Sequence, residues 1–276
     1  MNKKDFDILV DRKLITEIGD INFYNSNPEK LEQLTTEDLI QSGILSQPAT
    51  NTSIIEHGID ILIPTVELKI LTQNDLINAM KNNDFVKLTN DIELDDTIIW
   101  EDGDITLDLN GYTLKGGLFK ESGGEILEGD TDSYVFWIKG GNLTIQGQGN
   151  VLTQSAKYAI AVWANGGNVY IKNGEYINNG EGSDLMYASA GGNIYISGGI
   201  FKPNMMQDNI AGTKNKYSAL NIKDKDRNIS SIEVSGGIFY NFDPSSNLSE
   251  GPDTNFVVNG YKSVEVSEDV FQVIKE

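Results

Sequence analysis

Four copies of one short segment constrain the fold of this chain more than any other feature. The copies read GGNLTIQGQGN, GGNVYIKNGEY, GGNIYISGGIF and ISSIEVSGGIF, and they begin at Gly140, Gly166, Gly191 and Ile229. Their equivalent apolar positions, 26, 25 and 38 residues apart in turn, are Ile145, Ile171, Ile196 and Val234. A period in the mid-twenties is typical of solenoid proteins, in which each repeat packs on its neighbours.

Within each copy, apolar residues alternate with residues of another kind. In the second copy, Val169 and Ile171 share one face and Tyr170 takes the other, which is the periodicity of a strand. Glycine pairs beside the strands mark tight turns. One such unit cannot bury its apolar face alone. The pattern therefore predicts stacked coils of strands and glycine turns.

A helix and two further strands frame the repeats. Thr72 and Asp75 have the spacing of a capping box, which predicts a short amphipathic helix at residues 73–82. We expect this helix to cover the open edges of the first coil. At the other end, FVVNGYKSVEV and VFQVI predict two closing strands with a turn at Asn259 and Gly260.

These segments together resemble a known architecture. The helix, VKLTNDIEL, ITLDLNGYTLKGG and the later GGNVYI and SGGIF segments resemble right-handed parallel β-helix proteins of the pectate-lyase-like superfamily, over residues 68–239. The resemblance implies an all-β, right-handed parallel β-helix solenoid with a short N-terminal capping helix. Lyases, hydrolases, adhesins and phage fibres share this architecture, so it does not select a function.

The first part of the chain has a different character. It contains no glycine-pair copy, one predicted helix at residues 36–43 and the linker-like SQPATNTS at residues 46–53. We therefore predict a small mixed attachment or anchor region at residues 1–64. The β-helix with its closing strands is predicted at residues 65–276.

The charge and the composition limit the kinds of partner and site that the protein can have. The net charge is -20, with 41 acidic against 21 basic residues, which disfavours nucleic acid and anionic membranes. Cysteine is absent, so disulfides and thiolate metal sites are excluded. Acidic residues interrupt the basic start before an apolar segment develops, so we expect no export by the common signal-peptide route.

Three asparagines directly follow the glycine pairs: Asn142, Asn168 and Asn193. At a coil spacing of about 4.8 Å, their amides would stack along the axis. We predict a structural hydrogen-bonded ladder, with ligand binding as the alternative.

Two aromatic columns are predicted along the coils, and the tyrosine column faces outward. Tyr170 and Tyr195 occupy equivalent positions, where they would contact either a carbohydrate or another subunit. Trp137 and Trp163 each lie three residues before a glycine pair, and Ala188 takes that place one coil later. We expect these indoles to stack on neighbouring coils and to pack in the core or against a neighbour, with carbohydrate or subunit contact as the alternative.

A group of carboxylates precedes the first glycine-pair copy. Its members are Asp91, Glu93, Asp95, Asp96, Glu101, Asp102, Asp104 and Asp108. Calcium takes six to eight oxygen ligands, but this group lacks a spaced loop with a glycine hinge. We interpret it as a solvated acidic edge that prevents edge-to-edge pairing, leave calcium as the alternative, and predict no metal site and no cofactor.

The resemblance also implies which catalytic residues an enzyme of this fold would need. In the family that the chain resembles, the lyases use a calcium ion held by carboxylates beside a basic residue. The hydrolases of that family need two or three aspartates that converge on one groove. The chain contains only two arginines, Arg12 and Arg227, and the first three copies have no carboxylate between the glycine pair and the end of the first strand. We predict no catalytic residues and no enzymatic activity, with a polysaccharide lyase or glycosidase as the alternative.

The composition and the repeated segments also resemble those of one class of viral proteins. The richness of the chain in Asn, Lys and Ile and its GGNxYIxGGxF segments are similar to those of head-fibre or tail-associated proteins of tailed phages, the crAss-like group among them. The resemblance implies a homotrimeric virion structural protein that assembles in the host cytoplasm. Its first region would dock on capsid or tail proteins, and its β-helix would project towards the host surface and its glycans. The alternatives are a depolymerase and a non-catalytic carbohydrate-binding surface module.

Overall fold

The computed structural model describes residues 48–56, 59–66, 69–117, 132–154, 156, 158–180, 184–203 and 219–276. By its contacts, the chain divides into two units, residues 1–69 and 70–276. In the first unit, strand β1 (Pro48–Glu56) pairs antiparallel with β2 (Ile59–Val66).

Strand β1 includes residues 48–53 of the segment predicted as a linker, so that prediction is wrong there. The predicted boundary after residue 64 lies within β2, and the predicted helix at residues 36–43 lies outside the described residues. The role of residues 1–64 in attachment stays a prediction.

The second unit opens with helix α1 (Gln73–Asn82). Thr72 Oγ1 accepts a hydrogen bond of 3.1 Å from the backbone N–H of Asp75, and Asp75 Oδ2 accepts one of 3.0 Å from Thr72 N–H. Leu76 and Met80 are buried in the core. The predicted helix and its capping box are confirmed. Among the described residues, no helix has both the length and the apolar character needed to cross a membrane.

Three stacked sheets follow. Sheet 1 contains β3 (Phe85–Lys87), β6 (Asp104–Asp108), β9 (Asn142–Gln146), β12 (Asn168–Ile171), β15 (Asn193–Ile196) and β18 (Ser231–Val234). Sheet 2 contains β4 (Ile92–Glu93), β7 (Thr113–Lys115), β10 (Asn150–Leu152), β13 (Glu175–Ile177), β16 (Ile200–Lys202) and β19 (Gly237–Tyr240). Sheet 3 contains β5 (Ile98–Trp100), β8 (Asp132–Ile138), β11 (Tyr158–Asn165), β14 (Met186–Ser189) and β17 (Leu220–Ile222).

The chain visits sheets 1, 2 and 3 in turn, and each of these strands pairs in parallel with the equivalent strand one visit later. We call three successive strands, one from each sheet, a coil. The predicted all-β class with mostly parallel strands is confirmed, and the order of visits is compatible with a parallel β-helix. The predicted register is also confirmed, because Ile171 pairs with Ile145 and Ile196, and Ile196 pairs with Val234.

The core lies between the sheets and is itself ordered into columns. Tyr176, Phe201 and Phe239 are buried and stack with ring centroids 5.3 and 4.5 Å apart. At the turns, the coils approach too closely for side chains. A Cβ on Gly141, whose φ is +67°, would lie 2.2 Å from the carbonyl oxygen of Gly103 in the coil before. This contact and its positive φ therefore require glycine at position 141.

The C-terminal end is closed by added segments. After a short 3₁₀ helix (Asp224–Asp226) and the last coil, β20 (Tyr261–Ser267) and β21 (Val270–Lys275) form a hairpin, and β21 pairs antiparallel with β19. The two closing strands are confirmed. The turn between them is at residues 268–269, whereas the turn predicted at Asn259 and Gly260 lies just before β20.

Candidate functional site

The three asparagines form a continuous chain of side-chain hydrogen bonds on sheet 1. Asn168 Nδ2 donates to Asn142 Oδ1 and Asn193 Nδ2 donates to Asn168 Oδ1, each at 3.0 Å. The chain is extended by Asn142 Nδ2, which donates to Asp104 Oδ1, and by Ser231 Oγ, which donates to Asn193 Oδ1 at 2.9 Å. These amides therefore bind one coil to the next across five coils.

The two tyrosines lie on the outer face of the same sheet. Tyr170 and Tyr195 pair in register, and their rings stack with centroids 5.0 Å apart and planes 14° from parallel. Along the column, Thr144 precedes Tyr170 and Glu233 follows Tyr195. Each tyrosine thus covers one ring face of the other, and each outer ring face is turned towards a shorter side chain.

Two depressions flank the tyrosine pair, and Tyr170 lines both of them. Together they form what we call the sheet 1 groove. The first is also lined by Asp84, Asp104, Ile105, Thr106, Asn142 and Thr144, and the second by Lys172, Tyr195, Ile196, Ser197, Glu233, Ser235 and Val258. The groove offers ring faces beside hydroxyl, amide and carboxylate groups, which is a surface that can take a polar ring-shaped ligand.

The charge in this groove affects the second tyrosine. Partial burial and then the carboxylate of Glu233 raise the pKa of Tyr195 above its ordinary value. Like that of an ordinary tyrosine, its hydroxyl is protonated at neutral pH and can donate, and the shift extends this to more alkaline pH. The sequence pattern identified the two tyrosines but missed Asp84, Ser197 and Ser235, although their positions relative to the tyrosine column follow from the strand register.

The indole column lies on sheet 3. Trp137 and Trp163 stack with centroids 4.7 Å apart and planes 3° from parallel. Lys139 Nζ lies 4.5 Å from the ring centroid of Trp137, and Trp163 Nε1 donates a hydrogen bond of 2.7 Å to Ser189 Oγ. Tyr134 contacts Trp163 edge-on at 5.4 Å. Both indoles are half-buried in contacts with their own chain.

One predicted position in this column is wrong. Tyr187, not Ala188, pairs with Trp163, and their ring centroids are 6.0 Å apart. The turn from sheet 3 to sheet 1 is one residue longer in this coil, because Ala190, with φ of +53°, lies between the strand and the glycine pair. Counting back from the glycines therefore missed the aromatic residue.

The acidic group is spread over the first two coils, and several of its members have partners there. Glu93 pairs with Lys115 at 2.7 Å, Glu101 pairs with Lys139 at 3.4 Å, and Asp91 Oδ1 accepts a hydrogen bond of 2.7 Å from the backbone of Thr113. Within the described ranges, no three Asp, Glu, His or Cys side chains are grouped as metal ligands would be. These contacts join neighbouring coils.

Arg227 is the arginine that the sequence offers near the coils. Its Nε lies 2.5 Å from Glu250 Oε2, and its guanidinium also pairs with Asp224 Oδ1 at 2.7 Å. Glu250 Oε1 in turn accepts a hydrogen bond of 2.6 Å from the backbone N–H of Ile222, in β17. Through Glu250, Arg227 therefore helps to hold the loop between β19 and β20 against β17, the edge strand of sheet 3.

Comparisons with protein-family models, with curated proteins and with solved structures found no match to this chain.

Proposed function

We propose that the stacked sheets form a right-handed parallel β-helix like that of the pectate-lyase-like superfamily, and that the protein is a virion structural protein that projects it as a rigid rod. The observation that supports this function best is the set of side-chain columns that cross coil boundaries. The asparagine hydrogen bonds, the tyrosine stack and the indole stack all run along the coil axis. They resist bending, because a bend would separate groups in neighbouring coils.

In this proposal, residues 1–64 dock on the capsid or tail of a tailed phage, and the second unit projects as a homotrimer. The contact division into two units supports separate roles for the two parts. The strongly negative charge favours basic or neutral partner surfaces.

Mass spectrometry of gradient-purified virions tests the location. We expect peptides from both units in the virion band, in proportion to the major capsid protein. Their recovery in the soluble lysate alone would contradict a virion role. Sedimentation of the purified protein tests the trimer, which should have three times the chain mass of 30.4 kDa.

The sheet 1 groove favours a second candidate function, a non-catalytic carbohydrate-binding module. Sugars stack on aromatic faces, and the outer face of Tyr170 borders a depression with carboxylate and hydroxyl groups. Tyr170→Ala should weaken retention on neutral capsular polysaccharide about tenfold, whereas Tyr187→Ala on sheet 3 should not. Equal retention of both variants, or none by the natural protein, would remove this candidate.

The enzymatic alternative has its own test. We expect no release of reducing ends or unsaturated products from polyuronates or capsular polysaccharides, with or without calcium. Turnover that Asp104→Asn or Asp108→Asn abolishes would favour a depolymerase instead.

A further inference from the structure

The chain contains five steps in which asparagine is followed by glycine, the pair most open to attack by the glycine nitrogen on the side-chain amide. They begin at Asn110, Asn165, Asn173, Asn179 and Asn259. At the first four, the glycine N–H donates a hydrogen bond, from Gly111 to Gln148 O, Gly166 to Ser189 O, Gly174 to Asn173 Oδ1 and Gly180 to Asn178 Oδ1, at 2.6 to 3.1 Å. The bonds of Gly111, Gly166 and Gly180 hold the nitrogen towards another residue, whereas the bond of Gly174 is made to the side chain of Asn173 itself and does not protect that step.

The fifth step combines an unbonded glycine N–H with open space. Among the hydrogen bonds of the described residues, Gly260 N–H donates none, and its φ is +83°. Asn259 and Gly260 are both exposed, and a Cβ on Gly260 would meet nothing within 4 Å. By contrast, a Cβ on Gly174 would lie 2.9 Å from Leu109. A cyclic imide therefore has room at the fifth step but is crowded at Asn173. Gly111 has the same open space as Gly260, so at Asn110 it is the hydrogen bond from Gly111 N–H to Gln148 O that opposes the attack.

We propose that Asn259 is a site of spontaneous self-modification. The nitrogen of Gly260 attacks Cγ of Asn259, forms a C–N bond and gives up its proton, and the side-chain nitrogen leaves as ammonia. Water then opens the resulting succinimide at either carbonyl. One opening gives aspartate, and the other gives isoaspartate, in which the main chain runs through Cγ and gains one methylene group.

The position of this step gives the reaction a structural consequence. Val258 N–H is bound to Val234 O at 3.0 Å, on the coil side of the step. On the other side, Gly260 O accepts a hydrogen bond of 2.9 Å from Glu276 N–H at the start of the β20 and β21 hairpin. An extra methylene group between these two hydrogen bonds lengthens or breaks one of them. Isoaspartate at position 259 therefore loosens the β20 and β21 hairpin at the edge of sheet 2.

Incubation of the full chain in mildly alkaline water labelled with heavy oxygen, followed by peptide mapping, tests the site. We expect labelled product at Asn259 to form at least about tenfold faster than at Asn110 or Asn165, equivalent to about 1.4 kcal/mol in barrier. Rates within about twofold of one another would overturn the inference, since that is well under 1 kcal/mol of selectivity.

Two variants complete the test. Asn259→Gln should remove the labelled product from its peptide, because glutamine must close a larger ring, and persistence of that product would overturn the assignment. Asn259→Asp carries the new charge without the added methylene. Amides at residues 261–275 should exchange hydrogen faster in the isoaspartate fraction than in Asn259→Asp, and equal exchange would refute the effect on the hairpin.

Discussion

Replacing Ile171 by alanine tests the alternation on which the coils depend. Ile171 is fully buried in β12, between Ile145 and Ile196 of the neighbouring coils. The change removes most of the side chain and leaves a cavity that the rigid coils cannot close. Truncation of a buried isoleucine to alanine lowers the free energy of unfolding by about 2 to 5 kcal/mol.

The adjacent residue provides a matched control. Tyr170 lies on the opposite face of the same strand, and 37% of its surface is exposed. Tyr170→Ala removes a larger side chain but loses mainly the stack with Tyr195, which is worth about 0.5 to 1.5 kcal/mol.

Thermal unfolding of the two variants distinguishes burial from side-chain size. For a unit of this length, 1 kcal/mol corresponds to about 2 to 4 °C in Tm. We expect Ile171→Ala to lower the Tm by about 4 to 20 °C and Tyr170→Ala by about 1 to 6 °C. Because stacked repeats can open locally, hydrogen exchange over residues 166–177 should show the same order. An equal or larger loss in Tyr170→Ala would refute the alternation.

Other perturbations test the remaining features. Asn168→Ala removes the donor to Asn142 Oδ1 and one acceptor of Asn193 Nδ2, and should cost about 1 to 3 kcal/mol in chemical denaturation. Thr72→Ala removes the helix cap and should cost about 1 kcal/mol in the same assay, whereas Thr72→Ser should cost much less. Burial, and next the nearby carboxylates, raise the pKa of Tyr187 from 10.0 to about 12. The unfolded chain therefore loses this proton first, so stability should fall as pH rises from about 10 to about 12, and Tyr187→Phe should reduce that fall. A chain that starts at Thr65 should fold alone by circular dichroism but fail to join virions, and its efficient incorporation would refute attachment through residues 1–64.

The sequence predicted well those features that depend on neighbouring residues. The capping box at Thr72 and Asp75 places a helix start without reference to the rest of the chain. Strand alternation likewise predicted that Ile171 faces inward and Tyr170 outward, because successive side chains of a strand point to opposite faces.

Prediction failed where a loop changed length. Tyr187 was missed because Ala190 adds one residue between β14 and the next glycine pair. An alternating pattern has a period of two, so one inserted residue changes which side chain joins the column.

The sequence by itself therefore determined the coil period, the inward and outward faces of the strands, and the capped helix, because each follows from contacts within a few residues. Only the tertiary structure decided which side chains meet across coils. Tyr170 lines both depressions of the sheet 1 groove, one together with Asp84 and the other together with Val258, residues that are far apart in the chain. The tertiary structure likewise left Gly260 N–H without an acceptor, while Gly111 and Gly166 donate theirs to backbone carbonyls of adjacent coils. Both outcomes depend on loop lengths and on backbone hydrogen bonds to adjacent coils, and these are made only when the coils stack.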